Sequence, residues 1–454
     1  MSRKPEREYI YRVILEQFLG VECSIHYEDR NDVEITLTGN RKDTLTLSDV
    51  LLQVQDVDWL KPDSMPQRPL KRIEVDIFKD MPVLYGMPQE NGAYVQEKEG
   101  TYYIGIDVFG SAFFMLTRYE ELVSKERDSH DRFTARQSLA WQERFLNRPI
   151  INEYIHFLLG IMKRLWPGLE TKKRQPRLLI SHDVDFPYYV YRRGPLSIAK
   201  ESLGDIVRRH NMESGMKKAS MLWKGSRRLE TDPYNRFHYL MELSERHGIQ
   251  SAFYFITEET RRGMDGNYSI EDPNVHSIMR EINQRGHEIG LHPSYDTYTS
   301  SASIRGQFDK LKEISESLGI RQQRWGGRQH YLRWSASETW QHWEDAGLQY
   351  DSTVGYADIA GFRSGICYEY PVFNLLTRQS LKLTERPLIV MDQTLLHYEY
   401  MHLDSQQALQ AIREYYKSCM QYDGDFTLLW HNSQLVKSSD RSVYQTFMEQ
   451  LGRR

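Results

Sequence analysis

Through the second part of the chain, short runs of apolar residues alternate with longer stretches in which apolar side chains recur every three or four positions. Leu178–Ile180, Ala252–Ile256, Ile289–Leu291, Leu388–Met391 and Phe426–Trp430 are uninterrupted and short, as buried strands are. Between them, Phe237–His247, Val275–Arg285, Ile304–Leu318 and Ser337–Ala346 carry helical spacing. Gly248, Gly286, Gly319 and Gly347 follow these four stretches, at the place where a helix stops. Strand alternating with helix predicts a parallel sheet or a β/α barrel.

The first part reads differently. Ile10–Leu19 predicts a helix, and Val33–Leu37 alternates as a strand does. Ser111–Val123 predicts a helix with one apolar face, with Arg118, Glu120 and Glu121 on its solvated side. A helical pattern at Ile155, Leu158, Leu159, Met162 and Leu165 then runs into the polar, basic stretch Thr171–Pro176, and the first buried-strand run follows at once. The 454 residues therefore divide into a smaller mixed α/β domain over 1–170 and an α/β domain over 176–454.

Composition narrows the function classes. With 59 Lys and Arg against 63 Asp and Glu, no nucleic-acid binding is expected. Cys23, Cys367 and Cys419 are odd in number and far apart, which suits a reducing compartment and builds neither a disulfide framework nor a CxxC metal motif. The opening MSRKPEREYIYRV lacks the apolar run of a signal peptide, and the most apolar stretch, Tyr102–Leu116, contains Asp107 and falls short of a membrane span. The expectation is a cytoplasmic protein without a transmembrane segment, with peripheral contact at the inner membrane left open. Its 29 Tyr and 9 Trp fit a Tyr-rich core as well as a site that stacks sugar rings.

The chemistry gathers directly after the predicted strands. His182-Asp183-Val184-Asp185 follows the first, His292-Pro-Ser-Tyr-Asp296 the third, Asp392 the fourth and His431-Asn432-Ser433 the fifth. In parallel β/α folds the carboxyl ends of the strands share one face, so these groups converge in space though far apart in sequence. Asp185 with His292 offers an oxygen and a nitrogen ligand, a mixture that suits zinc or a similar divalent ion. Asp183 is near enough to take a proton from a water that such an ion activates, and His431, on another strand end, could protonate a leaving amine. Arg328 could position a carboxylate or a substrate oxygen. His287 reads as a structural partner at a strand entrance, and His182 alternates to the face opposite Asp183. Around Asp351-Ser352-Thr353 and Gly361–Gly365 the chain reads equally as turns or as a substrate loop in which Arg363 holds a carboxylate such as Asp183.

These segments resemble, in order, the motifs of the polysaccharide deacetylase family with the chitooligosaccharide deacetylase (NodB) homology domain. Asp183-Val184-Asp185 resembles the first motif, and Gly286-His287-Glu288-Ile289-Gly290-Leu291-His292 the GHEI-x-x-H stretch. Ser251–Phe255 resembles the second core strand, Arg328-Gln-His-Tyr331 the R-x-P-Y motif, and Leu428–His431 the last motif. The likeness covers roughly residues 176–435. It implies a distorted β/α barrel, a bound divalent metal, most simply zinc, Asp183 as base, Asp185 and His292 as metal ligands and His431 as general acid. Three departures stand out: Asp296 occupies the place of the usual second His, His330 replaces Pro, and D-x-D replaces adjacent aspartates. Asp296 and His330 thus compete for the third ligand position. The N-terminal part resembles a domain that often precedes such barrels in bacterial surface-polysaccharide gene clusters. The implied activity is removal of an N-acyl group, acetyl foremost, from a sugar or sugar-linked intermediate in bacterial surface-polysaccharide metabolism, and a cytoplasmic location favours a nucleotide- or lipid-linked one. The alternatives are hydrolysis of another C–N bond, such as a formamide or cyclic amide, and a metal-free carbohydrate-binding or scaffold protein.

Overall fold

The structure is a computed structural model that describes residues 3–451 apart from 29, 76, 99 and 225–227. Helix α1 (Lys4–Tyr11) opens the chain and runs on as a π-helical stretch to Leu19, so the helix expected from Ile10 begins earlier. Strands β1 (Cys23–His26), β2 (Asp32–Leu37), β3 (Asn40–Ser48), β6 (Val95–Lys98) and β7 (Thr101–Ile104) form a sheet in the order β1-β2-β3-β7-β6. Strands β4 (Lys71–Val75) and β5 (Phe78–Val83) make a separate antiparallel hairpin. Helices α2 (Val108–Leu116), α3 (Tyr119–Val123), α4 (Leu139–Gln142) and α5 (Ile150–Leu165) complete this part.

The region expected as one helix from Ser111 to Val123 is thus two. Arg118 sits between them with φ 56°, a left-handed conformation that breaks the hydrogen-bond ladder. The expected solvated side is also wrong: Arg118, Glu120 and Glu121 are all buried.

The second part contains β8 (Arg177–Val184), α6 (Pro195–Val207), α7 (Met212–Ser220), α8 (Phe237–Glu245), β9 (Ala252–Phe255), α9 (Pro273–Gln284), β10 (Glu288–Leu291) and α10 (Ser301–Ser317). It continues with β11 (Gly326–Gly327), α11 (Glu338–Ala346), β12 (Tyr350–Asp351), β13 (Tyr370–Asn374), β14 (Gln379–Glu385), β15 (Val390–Met391), α12 (Asp392–Leu396), α13 (Ser405–Met420), β16 (Asp425–Leu429) and α14 (Ser438–Leu451). Its sheet has the order β13-β14-β12-β11-β10-β9-β8-β16-β15, parallel throughout except for the antiparallel β13–β14 edge. The alternation of strand and helix is met by this parallel sheet. No pairing joins β15 to β13 among the described residues, so the sheet is open by hydrogen bonding where a barrel was expected.

Close approach explains the glycine in β10 and the glycine pair of β11. A Cβ at Gly290 would strike the Tyr254 ring, and one at Gly327 would strike the Leu291 carbonyl. This tight seam brings Arg328 directly over the end of β8. The two parts share one continuous apolar core: Tyr9 and Phe113 both meet Phe373, with ring centroids 5.0 and 5.4 Å away. Among the described residues no helix is long and apolar enough to cross a membrane.

Candidate metal and hydrolytic site

Asp183 and Asp185 flank the carboxyl end of β8, His292 follows β10, the segment 328–332 follows β11, and Asp392 and His431 follow β15 and β16. Successive strand residues face opposite sides, so Asp183 points one way and His182 the other. His182 is buried away from the site, where its Nδ1 meets the Trp430 carbonyl at 2.7 Å and burial holds its pKa down to about 3. His287 accepts from the Ser251 amide at 3.1 Å and lies near Glu245, in keeping with a structural role.

Asp185, His292 and His330 bring one ligand atom each to within 4.8 Å of one another. Their hydrogen bonds fix which atoms are available. His292 Nδ1 donates to the Arg328 carbonyl (2.5 Å) and His330 Nε2 to the Met264 carbonyl (2.8 Å). Carbonyls only accept, so these ring nitrogens carry the protons. The other two, His292 Nε2 and His330 Nδ1, then face each other at 2.8 Å, and with both rings neutral each is an acceptor. Asp185 Oδ1 points at the same spot, 3.2 Å from His292 Nε2 and 3.5 Å from His330 Nδ1, and is buried without a hydrogen bond.

Three converging acceptors repel unless a cation sits among them, either the proton of one imidazolium or a metal ion. The electrostatics agree. Burial opposes charge on both rings, yet the carboxylates of Asp183 and Asp185 raise the pKa of His292, while burial and the neighbouring His292 lower that of His330. Burial also opposes the charge on Asp185, but His330, His292 and His431 outweigh it and hold the carboxyl well below its usual range. One oxygen and two imidazole nitrogens, each ring backed by a carbonyl, form a donor set that fits zinc or a similar divalent ion.

Asp296 is not part of this set. Its carboxylate is ion-paired to Arg261 (2.8 Å) and Arg333 (3.1 Å), at the surface rather than in the cleft. Two guanidiniums hold it outward, and it is His330 that lies with Asp185 and His292.

Asp183 and His431 stand at the margins of the triad. Asp183 Oδ1 accepts from Arg328 Nη1 at 2.8 Å, and its Oδ2 is 3.8 Å from His292 Nε2. Arg328 is itself held by the Ser352 carbonyl and by the hydroxyls of Ser181 and Ser352. Arg363 does not reach Asp183. It makes a bidentate pair with Glu121 (2.6 and 2.9 Å) and donates to the Gly355 carbonyl, because the N-terminal part supplies a closer carboxylate.

His431 binds Asp392 twice, through Nδ1 (2.7 Å) and through its backbone amide (2.6 Å). The ring is thereby oriented with Nε2 inward, 3.7 Å from Asp185 Oδ2. Burial works against its charge, but Asp392, with help from Asp185 and Asp183, holds its pKa up to about 10. The sequence placed Asp392 after a strand without a role; a carboxylate behind a strand-end His was the available signal.

These groups line a cavity of about 160 Å³ with Tyr331, Tyr400, Met391 and Arg132 on its walls. Tyr331 and Leu332 both have left-handed backbones (φ 60° and 55°), costing about 1–3 kcal/mol each, of the kind that clusters at ligand sites. Arg132 comes from the N-terminal part and donates to the Tyr331 carbonyl at 3.1 Å. Nothing in the pattern around Arg132 distinguished it from any surface arginine.

Residues 1–167 match the model of a family described as "Family of unknown function (DUF7033)". No curated protein matches the chain. Among solved structures the chain is similar to a "putative polysaccharide deacetylase from Mycobacterium smegmatis", at 14% identity and TM-score 0.38, over 63% of this chain and 85% of that one. It is also similar to Puue allantoinase, at 13% identity and TM-score 0.38, over 64% and 87%. A third is a "probable Polysaccharide deacetylase from Pseudomonas aeruginosa PAO1", at 15% identity and TM-score 0.36, over 63% and 86%.

Proposed function

We propose that this protein is a metal-dependent hydrolase that removes an N-acyl group, acetyl foremost, from a sugar or sugar-linked intermediate. The observation that carries the reading is the convergence of one ligand atom each from Asp185, His292 and His330, with Asp183 and His431 beside them in one cavity. A divalent ion held there supplies a Lewis acid that polarises a carbonyl oxygen and lowers the pKa of water.

The protein's own groups do the rest. Asp183, anchored by Arg328, takes a proton from the attacking water as its oxygen bonds to the amide carbon. His431, oriented by Asp392, gives a proton to the nitrogen as the C–N bond breaks, so that a neutral amine and a carboxylic acid leave, the acid then losing its proton to solvent. Without that proton the leaving group would be an amide anion. Tyr331 and Tyr400 offer flat surfaces to a sugar ring.

The test is release of acetate or formate from N-acylated sugars, free, nucleotide-linked and lipid-linked, by the zinc-loaded protein. Asp183→Asn and His431→Ala should each lower turnover by about two to four orders of magnitude, the usual worth of a general acid or base. Undiminished release in both variants, or no release from any amide by the loaded wild type, would overturn the proposal.

A further inference from the structure

The hairpin of α6 and α7 is built inside out. Along α6, Leu196, Leu203 and Val207 recur at i, i+7 and i+11, the spacing of an apolar helix face that packs inward. Here that face looks outward. The inward positions are Ile198, Ser202 and Asp205. Asp205 is buried against α7, where it pairs with Lys218 at 2.8 Å and accepts from the Ser214 hydroxyl at 2.6 Å. A Cβ at Gly215 would strike Ile206, so the helices cross in close contact around this polar centre.

What remains outside is apolar. Leu196, Leu203, Val207, Met212, Met216 and Trp223 are between 58% and 87% exposed. They are six of the twelve large apolar side chains exposed among the described residues, gathered into one short stretch. Concentrated exposure of this kind marks a contact surface, where scattered single residues do not.

The charge of the same stretch says what it contacts. Residues 192–224 hold eight Lys and Arg against three Asp and Glu, a net +5. The whole chain is −4, so everything outside the hairpin sums to −9. Among the described residues Lys200 and Arg208 make no ion pair, and both are exposed beside the apolar stripe. An apolar stripe bordered by cations on an otherwise acidic protein fits an anionic bilayer, where leucine, methionine and tryptophan enter the acyl boundary and cations meet the headgroups.

We infer that the α6–α7 hairpin docks this protein on the surface of a membrane containing anionic lipid. The hairpin follows β8 at the end of the sheet that carries the cleft. Arg209, His210 and Met212 at its turn border a groove of about 660 Å³ that reaches Gln393, and Gln393 also lines the catalytic cavity. Docking would therefore bring the cleft mouth to headgroup level. The docking does not depend on the hydrolase reading, since it needs neither metal nor substrate.

Vesicle co-sedimentation of the full chain tests it, with pure phosphatidylcholine and with phosphatidylcholine containing phosphatidylglycerol. The protein should pellet with the anionic vesicles and be released by high salt. Lys200→Glu and Arg208→Glu should each weaken binding by about fivefold or more. Leu203→Ser with Val207→Ser, at unchanged charge, should weaken it by about tenfold or more. All four positions are exposed, and circular dichroism verifies that the variants fold. Failure to pellet with anionic vesicles, or pelleting that the apolar variant leaves unchanged, would overturn the inference. So would a dimer in sedimentation velocity that the apolar variant dissociates in the absence of vesicle binding, because the stripe would then bind a second copy.

Discussion

Two buried clusters of charge in this molecule have opposite characters. One is the cleft at the strand ends. The other is the seam between the two parts of the chain, where Arg118 and Arg363 grip Glu121 while Arg118 also meets Glu120. In the seam every charge has its counter-charge: Arg363 is bidentate on Glu121, and the remaining Glu120 oxygen accepts the Leu139 amide at 2.9 Å. In the cleft Asp185 Oδ1 has no hydrogen bond, two imidazole nitrogens face each other at 2.8 Å, and open volume adjoins them. Burial alone marks neither cluster as functional. A satisfied buried network holds parts together, whereas converging acceptors beside a cavity favour a cation among them, a proton or a metal ion.

That contrast breaks most visibly at the seam. Glu121→Ala leaves two buried guanidiniums short of a carboxylate and should cost about 3–5 kcal/mol of stability, read from urea denaturation. Zinc affinity of the folded variant should be unchanged; a loss of zinc affinity as large as the loss of stability would join the two clusters into one.

In the cleft the larger effect falls on binding. His292→Ala and His330→Ala should each lower zinc affinity, measured by equilibrium dialysis, by about a hundredfold or more, exceeding the 10–100-fold worth of an outer-shell contact. Asp296→Ala should leave affinity unaltered, because its carboxylate belongs to Arg261 and Arg333. The reverse ranking would return Asp296 to the metal.

The smallest effect concerns pH. Burial opposes charge on Glu121, yet Arg363 and Arg118 outweigh it and depress its pKa. A depressed carboxyl contributes stability that is fully present above the ordinary carboxylate range and is lost as pH falls through the folded-state value. The urea midpoint of wild type should therefore exceed that of Glu121→Gln near neutrality, and the gap should narrow in acid. A gap that widens in acid would contradict the sign.

The sequence by itself determined the alternation of strands and helices after residue 176, because apolar period and glycine stops are local signals. Gly286 and Gly347 stand just beyond their helices with φ 81° and 90°, a conformation other residues adopt at a cost. It likewise determined which strand ends carry Asp183, Asp185, His292 and His431, since a strand end is defined by its neighbours in sequence.

Only tertiary structure decided the rest. The placing of His330 rather than Asp296 beside Asp185 and His292, of Arg328 rather than Arg363 as the partner of Asp183, and of Asp392 behind His431 all depend on separations through space between segments remote in sequence. Arg118, Glu120 and Glu121 look like a solvated helix edge until Arg363, more than 240 residues later, supplies the opposite charge. The outward stripe on α6 reads by period as a core face, yet it is the face with Ile198, Ser202 and Asp205 that is buried, Asp205 pairing with Lys218. Period tells which residues share a face; it does not tell what that face will meet, because the partner's charge arrives from elsewhere in the chain.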